Sequence, residues 1–208
     1  MAFSISPSDK RDIAKTLGRR HKEFSWSEDF FANLIERNEA KMDVYWSVMA
    51  LRDCGTARSI PSLKALATHP SQDIKATAML TIARISRSAE TEYYAMKLLD
   101  PSYRAKSYAL WAIAAYGDER ATDAVHQYVK KNHRKLAEPS IDARETYDII
   151  SYFYRTLGAA KAAQLFAGDY VSIRTSLAKS LSRLPAINRD RFAARYPEID
   201  ISLASSDA

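Results

Sequence analysis

The chain has few of the residues that disulfide-bonded or turn-rich β proteins use. Its 208 residues include one cysteine, Cys54, so no intramolecular disulfide can form. Only five glycines are present, which disfavours the tight turns of most β architectures. No apolar run approaches the about 20 residues that a membrane-spanning helix needs, and the N-terminus lacks the apolar core of a signal peptide. We therefore expect a cytoplasmic protein without a membrane partner.

The sequence also lacks the motifs on which many enzymes depend. It contains no Gly-rich phosphate-binding loop, no H-E-x-x-H and no C-x-x-C, and its four histidines are scattered without metal-ligand spacing. A folded core is nevertheless expected, because 47% of the residues are hydrophobic. These features predict a protein with no catalytic residues, no metal site and no cofactor.

A repeat of 31 residues runs through the middle of the chain. Residues 69–86 and 100–117 share six identities in eighteen aligned positions, and one more step of 31 leads back to residues 41–55. A fourth copy ends about ten residues late at Gly158, and a fifth follows at a shorter interval. Each copy holds a short helical pattern and then a longer one, with apolar residues at helical spacing. Because one such pair cannot bury its apolar stripe alone, we expect successive pairs to stack.

The longer pattern resembles the HEAT-like repeat of the PBS-lyase type, which builds α-solenoid proteins. The residues that carry the resemblance are Pro70, Ile74, Lys75, Ala78, Ile82 and Ile85, followed by Pro101, Lys106, Ala109, Ile113 and Gly117. It implies an all-α fold, an α-solenoid of about five helix pairs with a helical N-terminal cap. Residues 1–38 would form the cap pair, 39–185 the repeats and 186–208 a short helix and tail. The extra residues near 130–140 predict an insertion in a loop.

The resemblance also implies that the second helix of each pair lines a concave groove. Counting back from the Gly or Ser that ends each copy places large aromatic residues at outward positions. Such residues commonly anchor protein–protein interfaces. They would alternatively fill the concavity of a tightly curved array or pack against the insertion. The predicted partner-binding groove consists of Tyr45, Trp46, Met49, Leu80, Arg84, Tyr108, Trp111, Tyr152, Lys179 and Arg183.

The formal net charge of +6 comes largely from three basic segments. The first lies within residues 10–22 and the third within 174–195. The second contains four predicted phosphate contacts, Lys130, Lys131, Arg134 and Lys135. These segments are either solvated helix faces or a phosphate-binding edge, beside which groove aromatics would stack on bases.

Two classes of function remain in view. One is a non-enzymatic adaptor or inhibitor, such as a bacterial immunity protein that neutralises a toxin, with a protein partner in the groove. The other is a HEAT-like nucleic-acid-binding protein, including a DNA glycosylase acting on alkylated bases. A glycosylase would use Trp46 and Trp111 with Asp43 and Asp53. Cys54 is interpreted as a core residue, because other copies place Ile85 and Tyr116 at its position.

Overall fold

A computed structural model describes residues 6–24, 26–37, 40–139 and 143–182. Within these ranges all regular secondary structure is helical, which confirms the predicted all-α class. The predicted C-terminal helix and tail at 186–208, together with Arg183, lie outside the described residues.

Eleven α-helices are present in the part of the chain that the structure describes, with short 3-10 turns between some of them. In chain order they are α1 (Pro7–Arg19), α2 (Ser27–Arg37), α3 (Lys41–Cys54), α4 (Ile60–Ala65), α5 (Gln72–Ser86), α6 (Thr91–Leu99), α7 (Lys106–Tyr116), α8 (Thr122–Ala137), α9 (Arg144–Leu157), α10 (Ala159–Ala167) and α11 (Val171–Ser182).

The helices pack in a regular order. Each odd-numbered helix packs against the next odd-numbered one, from α1 through to α11, and each even-numbered helix packs against the odd-numbered helix that follows it. The two helices that precede residue 38 both pack against α3. The buried side chains of all these helices join into one hydrophobic cluster. The outer sides of successive odd-numbered helices therefore lie next to one another.

Burial follows the 31-residue spacing through α3, α5 and α7. Side chains at equivalent positions are enclosed in all three helices, and the same holds for the even-numbered helices α4, α6 and α8. The enclosed sets are Val48, Met79 and Leu110; Leu51, Ile82 and Ile113; and Leu63, Tyr94 and Val125.

The buried face of α9 is shifted by one residue from the predicted one. Gly158 lies 41 residues after Gly117, whereas the buried Ile150 and Phe153 lie 40 residues after Leu110 and Ile113. Gly158 has a φ of 79°, a left-handed conformation that glycine adopts easily, while Gly117 has a φ of −62°. Counting back from the terminal glycine therefore assigned the wrong face of α9.

The extra residues near 130–140 mostly continue a helix. Residues 130–137 belong to α8, which has 16 residues and is the longest of the described helices. The prediction of a loop at this place is wrong for these residues. The helical extension carries all four of the predicted phosphate contacts.

Candidate functional site

The candidate site is the outer face of α3, α5 and α7. It consists of residues at two helix positions that recur every 31 residues, together with Tyr45, and we call it the aromatic face. Its residues are partly exposed, and its four aromatic residues pack against the core with one side and meet solvent with the other. The face comprises Trp46, Thr77 and Tyr108 at one position and Met49, Leu80 and Trp111 at the next, with Tyr45 beside Trp46.

The rings of the aromatic face are held by neighbouring rings. Tyr45 and Trp46 pack edge to face with centroids 5.0 Å apart. Trp111 packs in the same way against Tyr116, with centroids 6.0 Å apart. Edge-to-face contacts of this kind fix ring orientation, so the exposed sides form a preorganised surface.

The polar atoms of this face lack the hydrogen bonds that the hydroxyls of the buried tyrosines make. The hydroxyl of Tyr94 donates to the carbonyl of Arg87 at 3.0 Å, and that of Tyr128 donates to Glu145 at 3.0 Å. The hydroxyls of Tyr45 and Tyr108 have no hydrogen-bond partner among the described residues. The indole N–H of Trp46 is buried and has no acceptor there either. The hydroxyls of Tyr45 and Tyr108 are therefore available for a bound partner or water, whereas the buried indole N–H is not accessible from outside.

Charged and small residues border the aromatic face at the C-terminal ends of its helices. Asp53, Arg84 and Ala115 occupy equivalent positions and are exposed. Arg84 forms no ion pair within the described ranges. Lys179 is exposed on α11. The predicted positions of Arg84 and Lys179 at the surface are thus observed.

The prediction is wrong for Tyr152, which is completely buried. Its hydroxyl donates to the carbonyl of Asp118 at 2.9 Å and lies 3.0 Å from the hydroxyl of Thr122. The register shift of α9 explains the error, because Tyr152 corresponds to the buried Ala112 and Ser151 corresponds to Trp111. Tyr152 therefore joins α9 to the turn before α8 and to the start of that helix.

Arg155 occupies an important position that the sequence analysis missed. Its guanidinium donates to the carbonyls of Ile113 at 2.8 Å, Ala114 at 3.1 Å and Gly117 at 2.5 Å. It thereby caps the end of α7, in addition to the hydrogen bond that the Ile113 carbonyl accepts from the Gly117 N–H. Burial lowers the pKa of Arg155, but the residue stays cationic at neutral pH. Its partners are backbone atoms from a preceding repeat, so no motif signals the contact.

Two of the residues considered for chemistry, Asp43 and Cys54, are occupied elsewhere, whereas Asp53 is exposed and forms no ion pair within the described residues. The carboxylate of Asp43 accepts two hydrogen bonds from the Lys10 ammonium, at 2.7 and 3.0 Å, in the contact between α1 and α3. Burial raises the pKa of the Cys54 thiol to about 11, so Cys54 is a protonated core residue at neutral pH. No group of acidic, His and Cys side chains among the described residues is arranged to hold a metal ion. None of the described helices is long and apolar enough to span a bilayer.

Two of the three basic segments meet in the structure. The helices α8 and α11 pack together, and the His133 ring nitrogen Nε2 lies 2.9 Å from the Ser172 hydroxyl. Lys130, Lys131, Arg134 and Lys135 are exposed on the C-terminal half of α8. The first basic segment lies mostly on α1, which packs against α2 and α3. Among the described residues, the first segment thus packs with other helices than the α8 segment does.

A cleft of about 420 Å³ lies between α8 and Tyr170, the residue that precedes α11. It is lined by His126, Gln127, Val129, Lys130, His133 and Tyr170. The ring nitrogen Nδ1 of His126 lies 2.5 Å from the Tyr170 hydroxyl. Burial lowers the pKa of His126, so its ring is neutral at pH 7.

Comparison with protein-family models, with curated proteins and with solved structures found no match to this chain.

Proposed function

We propose that the chain is a non-enzymatic protein-interaction module built as an α-solenoid of about five HEAT-like helix pairs with a helical N-terminal cap. The sequential packing of odd-numbered helices supports this architecture, as does burial at 31-residue intervals in α3, α5 and α7. In a stack of this kind, one face of the odd-numbered helices forms a continuous surface. The aromatic face is that surface.

The observation that carries the proposal is the state of the polar atoms on the aromatic face. Tyr45 and Tyr108 combine half-buried rings with hydroxyls that have no partner among the described residues, and Trp46 and Trp111 add half-buried indole rings. A protein partner would cover the rings and supply acceptors and donors at the same time. Trp and Tyr are among the residue types that dominate binding free energy at protein interfaces.

Binding without chemistry is the role that best fits the site. Asp43 is paired with Lys10 and Cys54 is a buried thiol, so neither supplies a free nucleophile or base on this face. We propose an adaptor or inhibitor that acts in the cytoplasm. Neutralisation of a toxin, as by a bacterial immunity protein, is one role of this kind.

The test compares partner capture by the aromatic face with capture by a control surface. Tagged wild-type protein, Trp46→Ala, Trp111→Ala and the double variant are used as baits in extracts of the source cell, and a captured protein is then purified for calorimetry. Each single substitution is expected to weaken binding by about 1–3 kcal/mol, which is about 5- to 150-fold in Kd. Met96→Ala is the matched control, because Met96 is a large apolar side chain on α6 with 55% of its surface exposed.

The outcome is decisive when folding is measured in parallel. Far-ultraviolet circular dichroism should remain unchanged in all variants, and Met96→Ala should bind as the wild type does. A partner that binds the double variant with wild-type affinity would contradict the proposal. Loss of helicity in both tryptophan variants would show that these side chains serve the core instead.

A further inference from the structure

The C-terminal half of α8 carries positive charge that the fold does not neutralise. Lys130, Lys131 and Arg134 are exposed, and none of them forms an ion pair with another described residue. We call these three residues the α8 cation cluster. Lys135 is different, because its ammonium lies 2.9 Å from the Glu145 carboxylate. The cluster is therefore a group of free cations on one segment of a regular helix.

A further cation lies beside this cluster on the side of α7. The Lys106 ammonium donates to the carbonyl of Leu98 at 2.8 Å and to that of Asp100. Burial lowers the pKa of Lys106, and the positive charge of Lys131 lowers it further. The Asp100 carboxylate acts in the opposite direction and partly compensates for these charges.

The cleft between α8 and Tyr170 borders the other side of the cluster. Lys130 and His133 line it, and His133 is linked to Ser172 on α11. The carboxylates that interact with His126 are Asp123, nearly three helical turns before His133 on α8, and Asp169, next to Tyr170. The end of the cleft at Lys130 and His133 therefore offers hydrogen-bond donors and a cation to an anionic group.

We propose that the α8 cation cluster and the adjoining end of this cleft bind the phosphate backbone of nucleic acid without reading its sequence. Phosphate contacts made by lysine and arginine supply most of the affinity in sequence-independent binding. The cations follow one another along about a turn of α8, which suits a linear polyanion. The cluster contains no aromatic or large aliphatic side chain, whereas protein interfaces usually depend on such anchors.

This surface is separate from the aromatic face, so the proposal goes beyond the proposed function. The cluster lies on an even-numbered helix, and the aromatic face lies on α3, α5 and α7. A nucleic acid bound at α8 and a protein bound at the aromatic face would use different residues. The two proposals can therefore succeed or fail independently.

The test measures binding of a fluorescein-labelled 20-base-pair duplex and a 20-nucleotide single strand, both of mixed sequence, by fluorescence anisotropy between 50 and 200 mM NaCl. The variant Lys130→Gln/Lys131→Gln/Arg134→Gln removes the cluster. Gln is a good helix former and the positions are exposed, so the helix should persist. We expect at least about a tenfold loss of affinity at 50 mM NaCl, and a salt slope for the duplex reduced by about 3.

A matched control removes the same formal charge from another helix. Lys15→Gln/Arg19→Gln/Lys22→Gln acts in the first basic segment, where these residues are exposed and form no ion pair with described residues. We expect this variant to lose less than about threefold in affinity. The Trp46→Ala/Trp111→Ala variant should bind nucleic acid as the wild type does, which separates this test from that of the aromatic face.

Three results would overturn the proposal. The first is the absence of binding to either probe at 50 mM NaCl. The second is equal weakening by the two triple variants, which would indicate a general effect of net charge. The third is equal or tighter binding of poly-glutamate or of phosphatidylserine vesicles with the same dependence on the α8 cation cluster. That result would assign the surface to an acidic protein or to a membrane.

Discussion

At the residue scale, Tyr152 on α9 and Tyr108 on α7 have opposite surroundings. Tyr152 is enclosed and its hydroxyl bonds to Asp118 and Thr122, whereas Tyr108 is partly exposed and its hydroxyl has no partner among the described residues. Tyr152→Phe should lower the free energy of unfolding by about 1 kcal/mol, because the Asp118 carbonyl loses its donor. Tyr108→Phe should change it by less than about 0.5 kcal/mol. Urea unfolding followed by circular dichroism measures both.

The comparison of the two variants tests the register of α9 directly. Both remove one hydroxyl from a tyrosine, so they differ only in the surroundings of that hydroxyl. Equal losses of stability would show that Tyr108 has an internal partner. No loss in either variant would remove the basis for placing Tyr152 in the core network.

At the element scale, one buried carboxylate connects α2 to the turn that begins α4. Glu28 accepts hydrogen bonds from the Ser59 hydroxyl at 2.5 Å and from the backbone N–H and hydroxyl of Thr56, each at 2.8 Å. Arg58 donates to the other carboxylate oxygen at 3.0 Å. Burial acts to raise the pKa of Glu28, but these hydrogen bonds outweigh it and the pKa is lowered. The charged form is therefore the one that the fold stabilises.

Glu28→Gln should make the protein less stable at neutral pH and less sensitive to acid. At pH 7 the expected loss in unfolding free energy is about 1–3 kcal/mol, since the bonds to a charged acceptor are weakened. Because the folded-state pKa is lowered, the unfolded chain binds more protons in acid. The contribution of Glu28 is therefore present above its ordinary pKa of about 4.3 and falls as pH drops through the folded-state value. Urea unfolding at pH 7, 5 and 3.5 measures the difference.

The wild type and this variant should converge in stability as the pH decreases. Thr81→Val is a control, because the buried Thr81 hydroxyl donates to the Val48 carbonyl and this hydrogen bond involves no ionisable group. The difference in unfolding free energy between this control and the wild type should not follow the pH profile of Glu28→Gln. A constant gap between Glu28→Gln and the wild type from pH 7 to pH 3.5 would contradict the role given to the carboxylate.

Comparison of the helices shows which of their features the sequence predicts well and which it does not. Spacing of apolar residues predicts the buried faces of α3, α5 and α7, because a constant interval of 31 residues preserves the register. It fails at α9, because a glycine that ends a helix does so with either sign of φ, and Gly158 differs from Gly117 in this respect. It also fails at residues 130–137, whose lysines and arginines favour continued helix as readily as a solvated loop.

At the scale of the whole molecule, contacts between distant segments are the part that sequence does not predict. The positions of Trp46, Tyr108 and Trp111 at the surface follow from periodicity within each helix. The contact of His126 with Tyr170 and the capping of α7 by Arg155 join residues about 40 positions apart. They depend on how one helix pair lies on the next. The cleft between α8 and Tyr170 is therefore found only in three dimensions.

A chain of neighbouring contacts also predicts how the molecule unfolds. Each helix pair packs mainly on adjacent pairs, so a local defect should destabilise its own neighbourhood more than the remote end. Phe153 is a suitable site, because it is completely buried and its ring packs against those of His126, Phe166 and Tyr170. Phe31 is the matched site near the other end, with 2% of its surface exposed on α2.

Phe153→Ala should accelerate amide hydrogen exchange in α8–α11 and leave α1–α3 close to the wild type, and Phe31→Ala should give the opposite distribution. Each substitution removes a buried aromatic ring at a cost of about 3–5 kcal/mol, which is enough to open the adjacent helices first. Exchange measured by mass spectrometry of peptides from each helix distinguishes the two ends. Uniform acceleration along the chain in both variants would instead show a single cooperative unit, because a stack held by nearest-neighbour contacts confines the effect.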